Sequence, residues 1–220
     1  MTGPLLVAPR RRPVALLLDW ERRLLYFTLA CLALWSGIYG RLQLPFLIWN
    51  LFLAWLPLAV LRVTHGYRGR GHWLRWGLWL PLLPNAPYIL TDFVHVWRWL
   101  EEGRRAGVAL GTIGVACSAL LGLSWFMRAL AAAEEALART WLSVGARRTV
   151  LRVVVLATGF GVWLGRVKRF NSWDVVTAPA RLLRESAAFA LEPMVMELTL
   201  VTALGLWVVY GVGRWWREVE

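Results

Sequence analysis

The chain is written as apolar runs separated by short charged or glycine-rich breaks. Runs with few charges cover residues 24–39, 44–63, 73–97, 106–126, 149–167 and 193–212. A helix needs roughly 20 predominantly apolar residues to cross a bilayer, and these runs approach or exceed that length. The pattern therefore predicts an all-α protein, a polytopic transmembrane helical bundle of about six spans. The alternating ten-residue segments of a transmembrane β-barrel are not seen. Residues 1–23 read as a basic N-terminal arm, 24–213 as a single transmembrane domain and 214–220 as a charged tail.

Three runs depart from a plain span. The third holds Pro81, Pro84 and Pro87 at a spacing of three, with Asn85, Tyr88, Thr91, Asp92 and His95 close by. Proline in a helix interior removes a hydrogen bond and clashes with the preceding turn, at about 3 kcal/mol. In lipid the freed carbonyls need protein or water partners, so broken backbone here is expected to line a polar cavity. Helix is predicted before the break, and a second helix starts at Asn85 or Ala86 with Pro87 in its first turn. The fourth run is rich in small residues, among them Gly107, Gly111, Gly114 and Gly122, which is a signal for close helix packing rather than for a site. After it, residues 127–142 read as an amphipathic helical extension into water. Between the fifth and sixth runs, Thr177 is placed to cap an interfacial helix with Pro179 in its first turn, Leu182, Leu183 and Phe189 opposing Arg181, Arg184 and Glu185.

Composition supports the membrane reading. Of 220 residues 59% are hydrophobic and 16 are Trp, above the roughly 45–50% of soluble domains. The net charge of +12 comes from arginines flanking apolar runs, where they face headgroups and set topology; nucleic acid is not an expected partner. The ends that share a side with both termini carry more basic residues than the opposite ends, which favours cytoplasmic termini. Cys31 and Cys117 fall inside predicted spans, so neither a disulfide nor a cysteine metal site is expected. No metal, cofactor or nucleophile-triad signature appears, and the bilayer is the one partner that composition implies.

The exits of the third and fifth runs are two crossings apart and are expected to open on one face. The first carries Asp92 and His95, three apart and so on one helix face. The second carries Arg166, Arg169, Asn171 and Asp174. Arg166 and Arg169 could form a fork for phosphate or carboxylate, with Asn171 and Asp174 as further polar groups. Asn85 and Tyr88 face the same expected cavity. On this reading Asp92 and His95 act on a substrate that Asn85, Tyr88, Arg166, Arg169, Asn171 and Asp174 hold, with no metal assigned. A plainer reading stands beside it: Asp92 ends the third span against Arg98 or Arg169, and the arginines snorkel to headgroups.

Three segments together, LPNAPYILTDFVH (83–95), GRVKRFNSWD (165–174) and NLFLAWLP (50–57), resemble a bacterial integral-membrane family, the domain-of-unknown-function family numbered 1361. The similarity extends over about residues 24–212. The resemblance implies a multi-pass bacterial membrane protein and carries no activity, substrate or catalytic residues with it. Three functions fit the residues: a membrane-interface site that binds or processes an anionic lipid or lipid-linked substrate; a small-solute or ion transporter using the broken third span; or a structural subunit whose polar motifs hold helices together.

Overall fold

The computed structural model describes residues 17–39, 44–63, 70–103, 105–170 and 174–219. They form an all-α bundle. Helix α1 (Asp19–Tyr39) starts with Asp19 and Glu21 in its first turn, where acids favour the helix N-terminus. It therefore begins ahead of the boundary expected at residue 24. Helix α2 (Leu44–Val63) follows, with Pro57 inside it.

The third run folds as α3 (Arg70–Leu82), α4 (Asn85–Tyr88), a 3₁₀ turn (Ile89–Asp92) and α5 (Phe93–Glu101). The break is a tightening, not an unwinding, since Pro84, Tyr88, Ile89 and Asp92 all keep right-handed helical dihedrals. Prolines 84 and 87 leave the carbonyls of Leu80 and Leu83 without their usual donors four residues on. Shorter bonds take them up, from Leu83 N–H to Leu80 O (3.3 Å) and from Ala86 N–H to Leu83 O (3.2 Å). The Asn85 side chain donates to Leu82 O at 2.9 Å. That is why an asparagine sits beside the prolines: one side-chain donor replaces a lost backbone donor.

The segment crosses the bundle rather than re-entering it. Near its start Arg75 donates to the carbonyl of Leu61, at the end of α2. Its far end places Trp99 against Trp35, near the end of α1, with ring centroids 4.4 Å apart.

Helix α6 (Arg105–Ala138) is the central element. Its glycines let neighbours in: a Cβ at Gly114 would meet Leu32 at 2.8 Å, and one at Gly122 would meet the Ala86 carbonyl oxygen at 2.3 Å. The expected extension into water is corrected in part: the helix continues to Ala138 with Ala129, Leu130 and Ala133 in the main buried core, while Glu135 and Ala138 on its other face stay exposed. Glu134 accepts from the Tyr210 hydroxyl and from Arg214 (2.7 Å) on the last helix.

Helix α7 (Val144–Lys168) begins at a Ser143 cap that accepts from Ala146 N–H. It ends at Arg169, whose φ of 57° turns the chain out of the helix. The short α8 (Asp174–Thr177) precedes α9 (Pro179–Ala190), with Pro179 in the first turn as expected. The cap position is Ala178, without a side-chain bond, and Thr177 instead closes α8. Phe189 is buried and Leu183 is 72% exposed. Helix α10 (Pro193–Val219) packs on α7, where Gly159 would place a Cβ 2.8 Å from the Thr199 carbonyl.

Among the described residues, four helices are long and apolar enough to cross a membrane by themselves, over Phe46–Val63, Val108–Ala138, Val144–Lys168 and Pro193–Trp215. The first and third expected spans are not in that set. In α1 the apolar run after Arg23 is short, and the third segment is divided among α3, α4, the 3₁₀ turn and α5.

Candidate functional site

A cavity of about 900 Å³ lies between α2, the third segment, α7 and α9. Its polar wall is Asn50, Asn85, Tyr88, His95, Arg98, Arg166 and Arg169. Its apolar wall includes Phe46, Trp49, Pro81 and Pro84, and Leu182, Leu183 and Ser186 of α9 border it. Glycines bring these elements together. A Cβ at Gly161 would meet the Pro84 ring at 2.5 Å, and one at Gly165 would touch the Tyr88 ring at 3.4 Å.

Asp92 sits behind the wall, fully buried. Asn50 donates to its Oδ2 at 2.9 Å. Its other oxygen has no hydrogen-bond partner among the described residues and lies 3.8 Å from His95 Nε2, itself buried without one. That separation is too long for a hydrogen bond; a small shift on ligand binding would close it. His95 is held edge-on by Phe46, centroids 5.7 Å apart. A buried polar atom left unsatisfied costs about 1–3 kcal/mol, and here two of them face each other beside the cavity.

Arg166 reaches this place from α7. It is half-buried, and its charge acts on both Asp92 and His95. It has no hydrogen bond or ion pair among the described residues. Arg98, exposed on α5, lines the same cavity. Cationic side chains held beside a partly closed pocket are suited to phosphate or carboxylate, Arg above all because its planar donors match those anions.

The structure thus brings Asn85, Tyr88, His95, Arg166 and Arg169 to one cavity, with Asp92 directly behind it. Asn171 lies outside the described residues. Asp174 opens α8, half-buried, and is not part of the cavity wall. Glu197 is exposed on α10 and does not line it either. Sequence reasoning did not assign Asn50 and Arg98 to the site. The signal for Asn50 was present, an amide in the middle of an apolar span, but nothing in the sequence named Asp92 as its partner. No group of three or more His, Cys, Asp or Glu placed to hold a metal occurs among the described residues.

Long apolar helices around a partly polar interior define the class: a multi-pass helical membrane protein. Within that class the chain belongs to the family described as Protein of unknown function (DUF1361), whose model matches residues 49–209. The match runs from α2 into α10 and so takes in the whole polar wall of the cavity. No curated protein and no solved structure matches the chain.

Proposed function

We propose that this protein binds an anionic lipid or lipid-linked substrate at the membrane interface, with its head in the cavity between α2, the third segment and α7. One observation carries the reading: Arg98, Arg166 and Arg169 line a single cavity together with His95, Asn85 and Tyr88, and Arg166 has no partner of its own among the described residues. Arginine on a membrane-embedded wall is costly unless an anion or water meets it. In this proposal the arginines hold the anion, Asn85 and Tyr88 orient it, and His95, backed by Asp92, exchanges a proton with it.

The topology belongs to the same proposal. The chain crosses a bacterial inner membrane six times, with α1 and the α3–α5 segment as the two crossings that length and hydropathy do not register. Both termini lie on the cytoplasmic side, where the larger share of arginines belongs, so the cavity opens on the opposite face.

Native mass spectrometry of gently purified protein tests the reading, with Arg166→Gln and Asp92→Asn beside it. Anionic lipid retained by the wild type and lost from Arg166→Gln is the expected result. Retention of anionic and neutral lipid in bulk proportion, unchanged by Arg166→Gln, would overturn it.

A further inference from the structure

Arg166 borders a second space. On its other side a groove of about 700 Å³ runs between the third segment, α7 and α10. The groove wall is apolar: Pro87, Leu90 and Val94 on one side, Val162 of α7, and Leu206 and Val209 of α10. Its polar groups are already engaged. Thr91 donates to the Tyr88 carbonyl at 2.7 Å, while Trp163 donates to the Thr202 hydroxyl at 2.9 Å and to the Leu198 carbonyl at 3.1 Å. Arg166 is the charged group on this wall.

The groove opens sideways. Leu90 is 38% exposed on one lip, and Gly205 on the other would place a Cβ within 4 Å of nothing. Along α10 it runs from Thr202 to Val209, about 10 Å at 1.5 Å per residue. Its floor, with Val162 and Leu206 each 3% exposed, lies deeper than the outer face that boundary lipid covers. One guanidinium therefore stands between a cavity with a polar wall and an apolar groove, each of ligand-binding size.

We infer that the groove holds the hydrocarbon chain of the same molecule whose anionic head occupies the polar cavity, so that the ligand is an amphiphile anchored by Arg166 at the junction of head and tail. The inference rests on the anion-binding reading above and adds the tail site. A soluble anion would leave the groove without use. A neutral lipid would leave the half-buried Arg166 guanidinium with the field of Asp92 but no anion to accept its hydrogen bonds. An anionic lipid satisfies both walls at once.

The test uses the full-length protein in phosphatidylcholine vesicles containing a minor fraction of dioleoyl-phosphatidate. Part of the phosphatidate carries a photoreactive diazirine halfway along one acyl chain. Two quantities are read: phosphatidate retained per protein after mild solubilisation, and the residues cross-linked on illumination. The expected result is Arg166-dependent retention with cross-links on floor residues such as Leu206 and Val162. Excess unlabelled phosphatidate competes them away, and excess phosphatidylcholine does not. Gly205→Phe, which projects a ring into open groove space, is expected to abolish floor labelling while the protein keeps its melting temperature. Should that variant unfold, Gly205→Leu makes the same comparison.

Retention that depends on Arg166 with cross-links confined to outward residues such as Leu200 and Leu204 would overturn the tail site and leave the anion reading standing. Floor labelling that is unchanged by a folded Gly205 variant would do the same. Loss of Arg166-dependent retention altogether would remove the anion reading, and the tail site with it.

Discussion

Gly122→Ala is the sharpest test of how the broken third segment is held. In most helices replacing an interior glycine by alanine gains about 1 kcal/mol. At Gly122 the new Cβ would lie 2.3 Å from the Ala86 carbonyl oxygen, a backbone atom that cannot rotate away. Overpacking costs typically about 1–3 kcal/mol, and a backbone collision belongs at the upper end. The net effect is a loss of about 2 kcal/mol, or a fall of about 4–8 °C at roughly 2–4 °C per kcal/mol for a chain of this size. Gly211→Ala supplies the internal control, because a Cβ there meets nothing within 4 Å. That change is expected to raise the melting temperature by about 2–4 °C. Thermal denaturation of both variants in one detergent, followed by tryptophan fluorescence or by loss of the monodisperse peak, gives the comparison. The expected outcome is opposite signs for one and the same substitution. If Gly122→Ala stabilises the protein as Gly211→Ala does, the third segment does not press against α6 at this point, and the account of the cavity's back wall is wrong.

Two further predictions concern buried polar pairs. Asn50→Ala leaves the Asp92 carboxylate buried with neither oxygen bonded, and hydrogen bonds to charged groups are worth about 1.5–3 kcal/mol. A double-mutant cycle of Asn50→Ala with Asp92→Ala should return a coupling of that size in denaturant unfolding, and additivity would mean the contact does not form. Glu21 is fully buried, is paired with Arg128 and accepts from Ser124 Oγ at 2.5 Å. Removing one partner of a buried ion pair costs about 3–5 kcal/mol, so Glu21→Leu should lower the melting temperature severely, and a shift of only a degree or two would show that the pair is solvated.

The fold was legible because hydropathy speaks directly for spans. The proline break was visible too, because each proline inside an apolar run deletes a backbone donor that the helix needs. What the residues did not disclose is partnership across long separations. Residues 127–142 look amphipathic, and alanines with paired glutamates ordinarily mean a wet face. Part of that face is instead engaged, because Tyr210 and Arg214, some 80 residues on, arrive to meet Glu134, while Glu135 stays exposed. Asn50 reads in sequence as a lone amide within a span, and its bond to Asp92 spans 42 positions. The i, i+3 spacing of Asp92 and His95 was readable, whereas the open gap between their facing atoms was not. The small residues of α6 announced close packing without saying what would come close. At Gly122 it is the backbone of the proline break itself.

The two ends of the bundle treat their acids differently, although Arg62 and Arg75 at the first end also keep a buried Nε without a partner among the described residues. At the end where α2 and α10 finish, Glu21 is met by Arg128 and Ser124, and Glu134 by Arg214 and Tyr210. Each of these acids has a cation and a hydroxyl, by which the buried Glu21 is tolerated at modest cost and the part-exposed Glu134 is tied to the last helix. At the other end the same residue types are only half matched. Asp92 uses one oxygen on Asn50 and leaves the second facing His95 across 3.8 Å, while Arg166 stands between cavity and groove. Had these groups served only to join helices, packing would have been expected to close the gap, as it does around Glu21 in the same chain. A bundle that pairs its acids at one end and leaves donors and acceptors facing a cavity at the other is consistent with stability built at the first and binding at the second.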